Sequence, residues 1–79
     1  MAPVEVFARR IRQLRKALTL TQVELARRSG LSRTYLARLE GGLQEPTLGT
    51  IEKLAKALHA TPAELVQTEP ITERKKRKT

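Results

Sequence analysis

Arg33, Thr34 and Arg38 are the side chains of this 79-residue chain whose types and spacing suit recognition chemistry. A guanidinium presents a planar fork of donors that matches the O6 and N7 acceptors of guanine. A threonine offers a methyl group to thymine or a hydroxyl to a base edge. Thr34 and Arg38 stand four residues apart, a spacing that puts both on one face of a helix, and Arg33 precedes them at a helix start. Catalytic chemistry has less to work with. His59 is the only histidine, Ser29 and Ser32 are the only serines, and all 8 acidic side chains are glutamates. Cysteine is absent, so there is no disulfide framework and no thiolate, which fits a reducing cytoplasm. No Ser/His/Asp triad, HExxH pair or glycine-rich phosphate loop can be assembled. No enzyme activity, metal, cofactor or small-molecule ligand is expected.

The distribution of charge points to a polyanion. Residues 1–38 carry nine Lys/Arg and two Glu, a balance of +7; residues 39–66 carry two Lys and four Glu, a balance of −2. Residues 67–79 carry five basic and two acidic residues, a balance of +3, which completes the total of +8. One half of the domain is basic and the other weakly acidic, an asymmetry that favours a nucleic-acid partner over general solvation. No stretch of eighteen apolar residues occurs, so no membrane span is expected. The Arg-rich opening lacks serine and carries Glu5, and its apolar rhythm continues into the rest of the chain. It reads as part of the fold rather than as a transit peptide.

The elements that must position these side chains are helices. Phe7, Ile11, Leu14 and Leu18 form a four-three-four stripe, one face of a first helix. Thr21 and Glu24 form a capping box for a second, with Leu20 and Leu25 as its staple and Gly30 as its stop. Ser32 caps a third helix, Arg33 to about Glu40, which buries Leu36 and Leu39 and ends at Gly41-Gly42. Pro46-Thr47 opens a fourth, with Leu48, Ile51, Leu54, Ala55 and Leu58 expected inside. Thr61-Pro62-Ala63-Glu64 is a second capping box and starts a short fifth helix. Period-two runs of β-branched residues are absent, and the fold class is all-α. Residues 1–66 form the domain, and residues 67–79 a basic tail expected to be disordered.

Helices two and three are separated by so short a turn that they must cross steeply, as in a helix-turn-helix. Counting from Gln22, the fourth position is Leu25, the fifth is the small Ala26, the ninth is Gly30, and the fifteenth and eighteenth are Leu36 and Leu39. Each meets the demand of that geometry. The stretches LTQVELA, GLSRTYLARLE and LAKAL…TPAELV then resemble the Cro/phage-repressor-like (XRE-type) family of helix-turn-helix transcription regulators. The resemblance covers about residues 6–66. It implies a compact five-helix, lambda-repressor-like domain and a homodimer on an inverted-repeat operator in double-stranded DNA. The chain also looks like the small controller regulators of restriction–modification systems, and antitoxin-type and phage repressors share the module. An antitoxin-like or adaptor module that binds protein is the alternative.

Roles follow from both lines. Arg33, Thr34 and Arg38 are the candidates for base readout, with half-sites expected to contain at least one G·C pair. Gln22, Arg12 and Gln44 are candidates for contacts to the DNA backbone. Tyr35 stands open between packing and a phosphate contact. The resemblance implies that Arg15 and Glu40 pair to orient the third helix, while Ala26 and Gly30 shape the turn. It also implies pairing of two copies near Thr61, Pro62, Ala63 and Val66. His59 reads as a turn residue.

Overall fold

In the computed structural model, which describes residues 4–66, five α-helices follow one another without a strand: α1 Val4–Ala17, α2 Gln22–Ser29, α3 Arg33–Glu40, α4 Leu48–Ala57 and α5 Pro62–Val66. The expected tail at 67–79 lies outside the described residues. The local signals act where they stand. Thr21 Oγ1 accepts from the Glu24 amide while Glu24 Oε1 accepts from the Thr21 amide, and Thr61 and Glu64 repeat this reciprocal bond at α5. Ser32 caps α3 through the Tyr35 amide, and Thr47 caps α4 through the Thr50 amide.

The core is shared by all five helices. Ile11, Leu25, Leu36, Leu39, Leu54 and Leu65 are fully buried, with Phe7, Leu20 and Leu58 close behind. Burying each such side chain stabilises the fold by about 1.5–3 kcal/mol before ordering costs are met. α3 packs against α1 and α2, and α5 closes the far side against α1 and α4. The recognition candidates therefore stand on a helix held from behind by two others.

Two expected core residues are not in the core. Leu18 is 37% exposed, because α1 ends at Ala17 and the chain turns through Thr19 in a left-handed conformation, φ 55°. Leu48 is 70% exposed: it is the first residue after the Thr47 cap and extends beyond the core that Ile51, Leu54, Ala55 and Leu58 enter.

The first four helices end in one way. An amide five residues on returns to the helix, Leu20 to the Arg15 carbonyl, Leu31 to Ala26, Leu43 to Arg38 and Ala60 to Ala55, at 2.8–3.1 Å. This closure needs a left-handed residue just before the returning amide. Gly30 and Gly42 supply it cheaply, but Thr19 and His59 do so with a Cβ, which costs about 1–2 kcal/mol each. Thr19→Gly should raise stability by about 0.5–1 kcal/mol after the extra freedom of an unfolded glycine is subtracted. His59→Gly should do so by less, since histidine tolerates this region better than a β-branched residue. Urea unfolding of both variants measures the gain.

The capping box of α2 has a pH dependence of known sign. The Thr21 backbone amide, helped by the Thr21 hydroxyl and by Arg28 and Arg27, holds the exposed Glu24 carboxyl below its ordinary value. The folded state thus favours the ionised form, a contribution complete above the unfolded pKa and lost as pH falls through the lowered folded one. A carboxyl titration of Glu24 by NMR should show a midpoint below that of an unstructured glutamate. Thr21→Ala removes the hydroxyl but keeps the backbone amide, and should move it only part of the way back up.

Candidate nucleic-acid interface

The site is built around a buried carboxylate at the last residue of α3. Glu40 has 2% of its side chain exposed and Arg15 of α1 has 12%. Arg15 Nε donates to Oε2 at 2.8 Å and Nη2 to Oε1 at 3.0 Å, a two-point grip of fixed direction. Arg15 Nη1 donates to the Leu20 carbonyl at 2.9 Å, which ties in the turn before α2. Gln22, the first residue of α2, donates from Nε2 to Glu40 Oε1 at 3.1 Å. Arg12, one turn earlier on α1, donates to the Glu40 backbone carbonyl. The end of α3 is thereby fastened to α1 and to the start of α2.

From this anchored helix Arg33, Thr34 and Arg38 point into solvent, and together with Ala37 and Gln22 they line one open depression. The structure thus brings the three readout candidates together and puts Gln22 beside them. Gln22 has one side-chain amide hydrogen on Glu40, which leaves the other directed away from that bond.

Three candidates have protein partners that sequence reading did not foresee. Arg12, expected at the DNA backbone, is engaged by the Glu40 carbonyl, a bond between residues 28 apart that no local pattern announces. Gln44 Oε1 accepts from Arg38 Nε at 3.1 Å. The Tyr35 hydroxyl shares a 3.1 Å bond with Thr50 Oγ1, and the Thr47 hydroxyl donates to the same oxygen at 3.0 Å. Tyr35 therefore packs half-buried on the core, with its polar tip supplied by α4. Thr50, buried within α4, was not foreseen as part of the site's support.

The turn residues stand as expected. Ala26 is 4% exposed in the core cluster. A Cβ on Gly30 would meet nothing within 4 Å, so its φ of 76° alone calls for glycine there. Thr61, Pro62 and Ala63 are exposed and Val66 half-buried, on the side of the fold that α5 forms. Arg10, which sequence reading passed over, donates from Nη1 to the Glu64 carbonyl at 2.8 Å and links α1 to α5. His59 occupies the turn between α4 and α5. Among the described residues no helix is long and apolar enough to cross a membrane, and no group of His, Cys, Asp or Glu could hold a metal.

Two helices joined by a three-residue turn, the second exposed and arginine-bearing, define a helix-turn-helix protein. Comparison with known proteins makes the class specific: residues 11–65 match the helix-turn-helix family HTH_3, and the chain belongs to that family. It is 49% identical over 49 residues to the immunity repressor protein of Bacillus phage phi105, a match covering 62% of this chain and 34% of the repressor. The chain thus spans about a third of that relative's length. It is 39% identical over 62 residues to the control protein C.SmaI of Serratia marcescens, covering 78% of this chain and 74% of that protein. The crystal structure of the restriction-modification controller protein C.AhdI from Aeromonas hydrophila superposes with a TM-score of 0.76 at 44% identity, covering 78% of this chain and 94% of the controller. These relatives are regulators, and the chain takes its place among non-enzymatic DNA-binding regulators of XRE type.

The clamp and the tyrosine make separate demands on stability. Arg15→Ala leaves the Glu40 carboxylate buried without its counter-charge and should destabilise the domain by about 3–5 kcal/mol. The double variant Arg15→Met/Glu40→Leu should recover most of that loss in urea unfolding, since apolar groups of similar volume avoid the desolvation cost. Tyr35→Phe removes a partner from Thr50 and should cost about 1 kcal/mol.

Proposed function

We propose that the chain is a sequence-specific transcription regulator that binds double-stranded DNA as a homodimer on an inverted-repeat operator. The observation that carries this reading is the common depression formed by Arg33, Thr34, Arg38 and Gln22 on a helix whose end is clamped from behind. α3 enters the major groove with Arg33 and Thr34 leading, and Arg38 follows one turn later on the same face. The amides at the start of α2, with the free amide hydrogen of Gln22, meet a phosphate beside the groove. The relatives named as repressors and control proteins support the regulatory role. They come from bacteria and a bacterial phage, where duplex DNA lies in the cytoplasm.

The second copy pairs through Thr61, Pro62, Ala63 and Val66. These residues stand exposed or half-buried on the weakly charged half, free to pack while the basic half faces DNA. Two α3 helices on one side of the duplex require half-site centres about 34 Å apart. The basic segment 67–79 adds nonspecific affinity.

Selection of bound sequences from a random duplex pool tests the reading, with a two-fold symmetric site containing G·C pairs as the expected outcome. Arg33→Ala should lower affinity for the selected site by about 1–3 kcal/mol and leave random duplex nearly unchanged. A chain shortened after Val66 should keep its unfolding transition and lose affinity for all duplexes alike, with a shallower salt dependence. Failure to enrich any sequence would overturn the proposal in favour of a protein-binding module; a monomer on a single half-site in sedimentation would overturn the homodimer and the inverted repeat.

A further inference from the structure

Arg38 is held twice by the segment that follows α3. Its carbonyl accepts the Leu43 amide at 2.9 Å, and its Nε–H donates to Gln44 Oε1 at 3.1 Å. The first bond belongs to the helix-ending turn, which Gly42 permits with a φ of 72°. That turn folds the chain back along the last turn of α3, so a side chain six residues ahead meets the guanidinium. Pro46 follows two residues later, and its ring limits both its own backbone and that of Glu45. Gln44 thus stands in a short segment bounded by a fixed turn and a proline.

The bond selects which edge of Arg38 is free. A guanidinium can offer a fork through Nε and one Nη, or an end-on fork through its two Nη groups. With Nε on Gln44 only the end-on fork remains, and Arg38 lies on the wall of the depression shared with Gln22, Arg33 and Thr34. Gln44 must present its carbonyl oxygen in this bond, because arginine has no acceptor. We propose that Gln44 is a positioning residue for base readout: it holds Arg38 by Nε so that the two Nη groups meet a guanine end-on, rather than swinging to a phosphate. A long flexible side chain pre-set in this way loses less freedom on binding than a free one. This rests on the proposed reading of α3 as the groove-facing helix and assigns Gln44 a role other than contact to the DNA backbone.

The experiment compares wild type, Gln44→Ala, Gln44→Glu, Arg38→Ala and the Gln44→Ala/Arg38→Ala double variant. Each is measured by random-pool selection and by titration of the selected site, its single-base variants and random duplex. Gln44→Ala should reduce discrimination at one base pair by about threefold to tenfold, the cost of ordering a guanidinium that is no longer pre-set. That base pair should be the one at which Arg38→Ala loses discrimination, with random-duplex affinity within about twofold of wild type. In the Arg38→Ala background, Gln44→Ala should have no further effect. Gln44→Glu keeps an acceptor for Nε and should preserve the base preference while weakening every duplex through its charge. Gln44 is exposed, so none of its variants should shift the unfolding midpoint. Equal loss on selected and random duplex in Gln44→Ala would make Gln44 a phosphate contact and overturn the inference, as would no change at all. If Arg38→Ala itself leaves base preference intact, the readout assignment of Arg38 falls and the inference with it. If Arg38→Ala alters preference and Gln44→Ala does not, only the inference falls.

Discussion

A carboxylate almost wholly removed from water must be neutralised by charge and hydrogen bonds together, and Glu40 finds both on the two helices that flank α3. An apolar pair of the same volume would hold the helices nearly as firmly. What the ionic arrangement adds is direction. The fork of Arg15 accepts the carboxylate in one plane, and the Gln22 amide fits only when α2 begins beside it. The orientation of α3, and with it the direction in which Arg33, Thr34 and Arg38 face, is therefore set by hydrogen-bond geometry as well as by packing. Arg12 reinforces the same end through the backbone.

The two faces of α3 are consequently held to different standards. The inner face, Leu36 and Leu39, is buried in a core that admits no change of volume without cost. The outer face makes few bonds within the chain, Arg38 to Gln44 being the side-chain bond that stands out. Substitution of the exposed side chains of α3 should disturb the fold little, because the residues that carry stability are on the opposite side.

Most of the fold was legible because its helix starts are written in neighbouring residues. Thr21 with Glu24, Ser32, Thr47, and Thr61 with Glu64 each act through bonds three residues long, which any reader of the sequence can pair. Helix ends were legible where glycine marks them, at Gly30 and Gly42, and not at Thr19, a β-branched residue in a conformation it rarely adopts. Leu18 was placed inside for that reason. Leu48 has the right spacing to its own helix, yet spacing does not reveal where the core stops. In the site, the Arg15–Glu40 pair was implied by family resemblance, whereas the bonds of Arg12, Tyr35 and Gln44 depend on how separate elements meet. Nothing local to those residues encodes the partner.

α3 is eight residues long, too short to persist as a helix in water by itself. Its shape is borrowed from the clamp and the core, so the face proposed to read DNA exists only while the whole domain is folded. Occupancy of a binding site and the folding equilibrium are then two views of one linked process, in which DNA acts as a ligand of the native state alone. In a domain of this size, with a small reserve of stability, a change buried far from any nucleotide is felt as a weaker grip once temperature brings unfolding within reach. Such a protein is a natural source of heat-sensitive variants whose defect lies in the core and whose phenotype is loss of regulation.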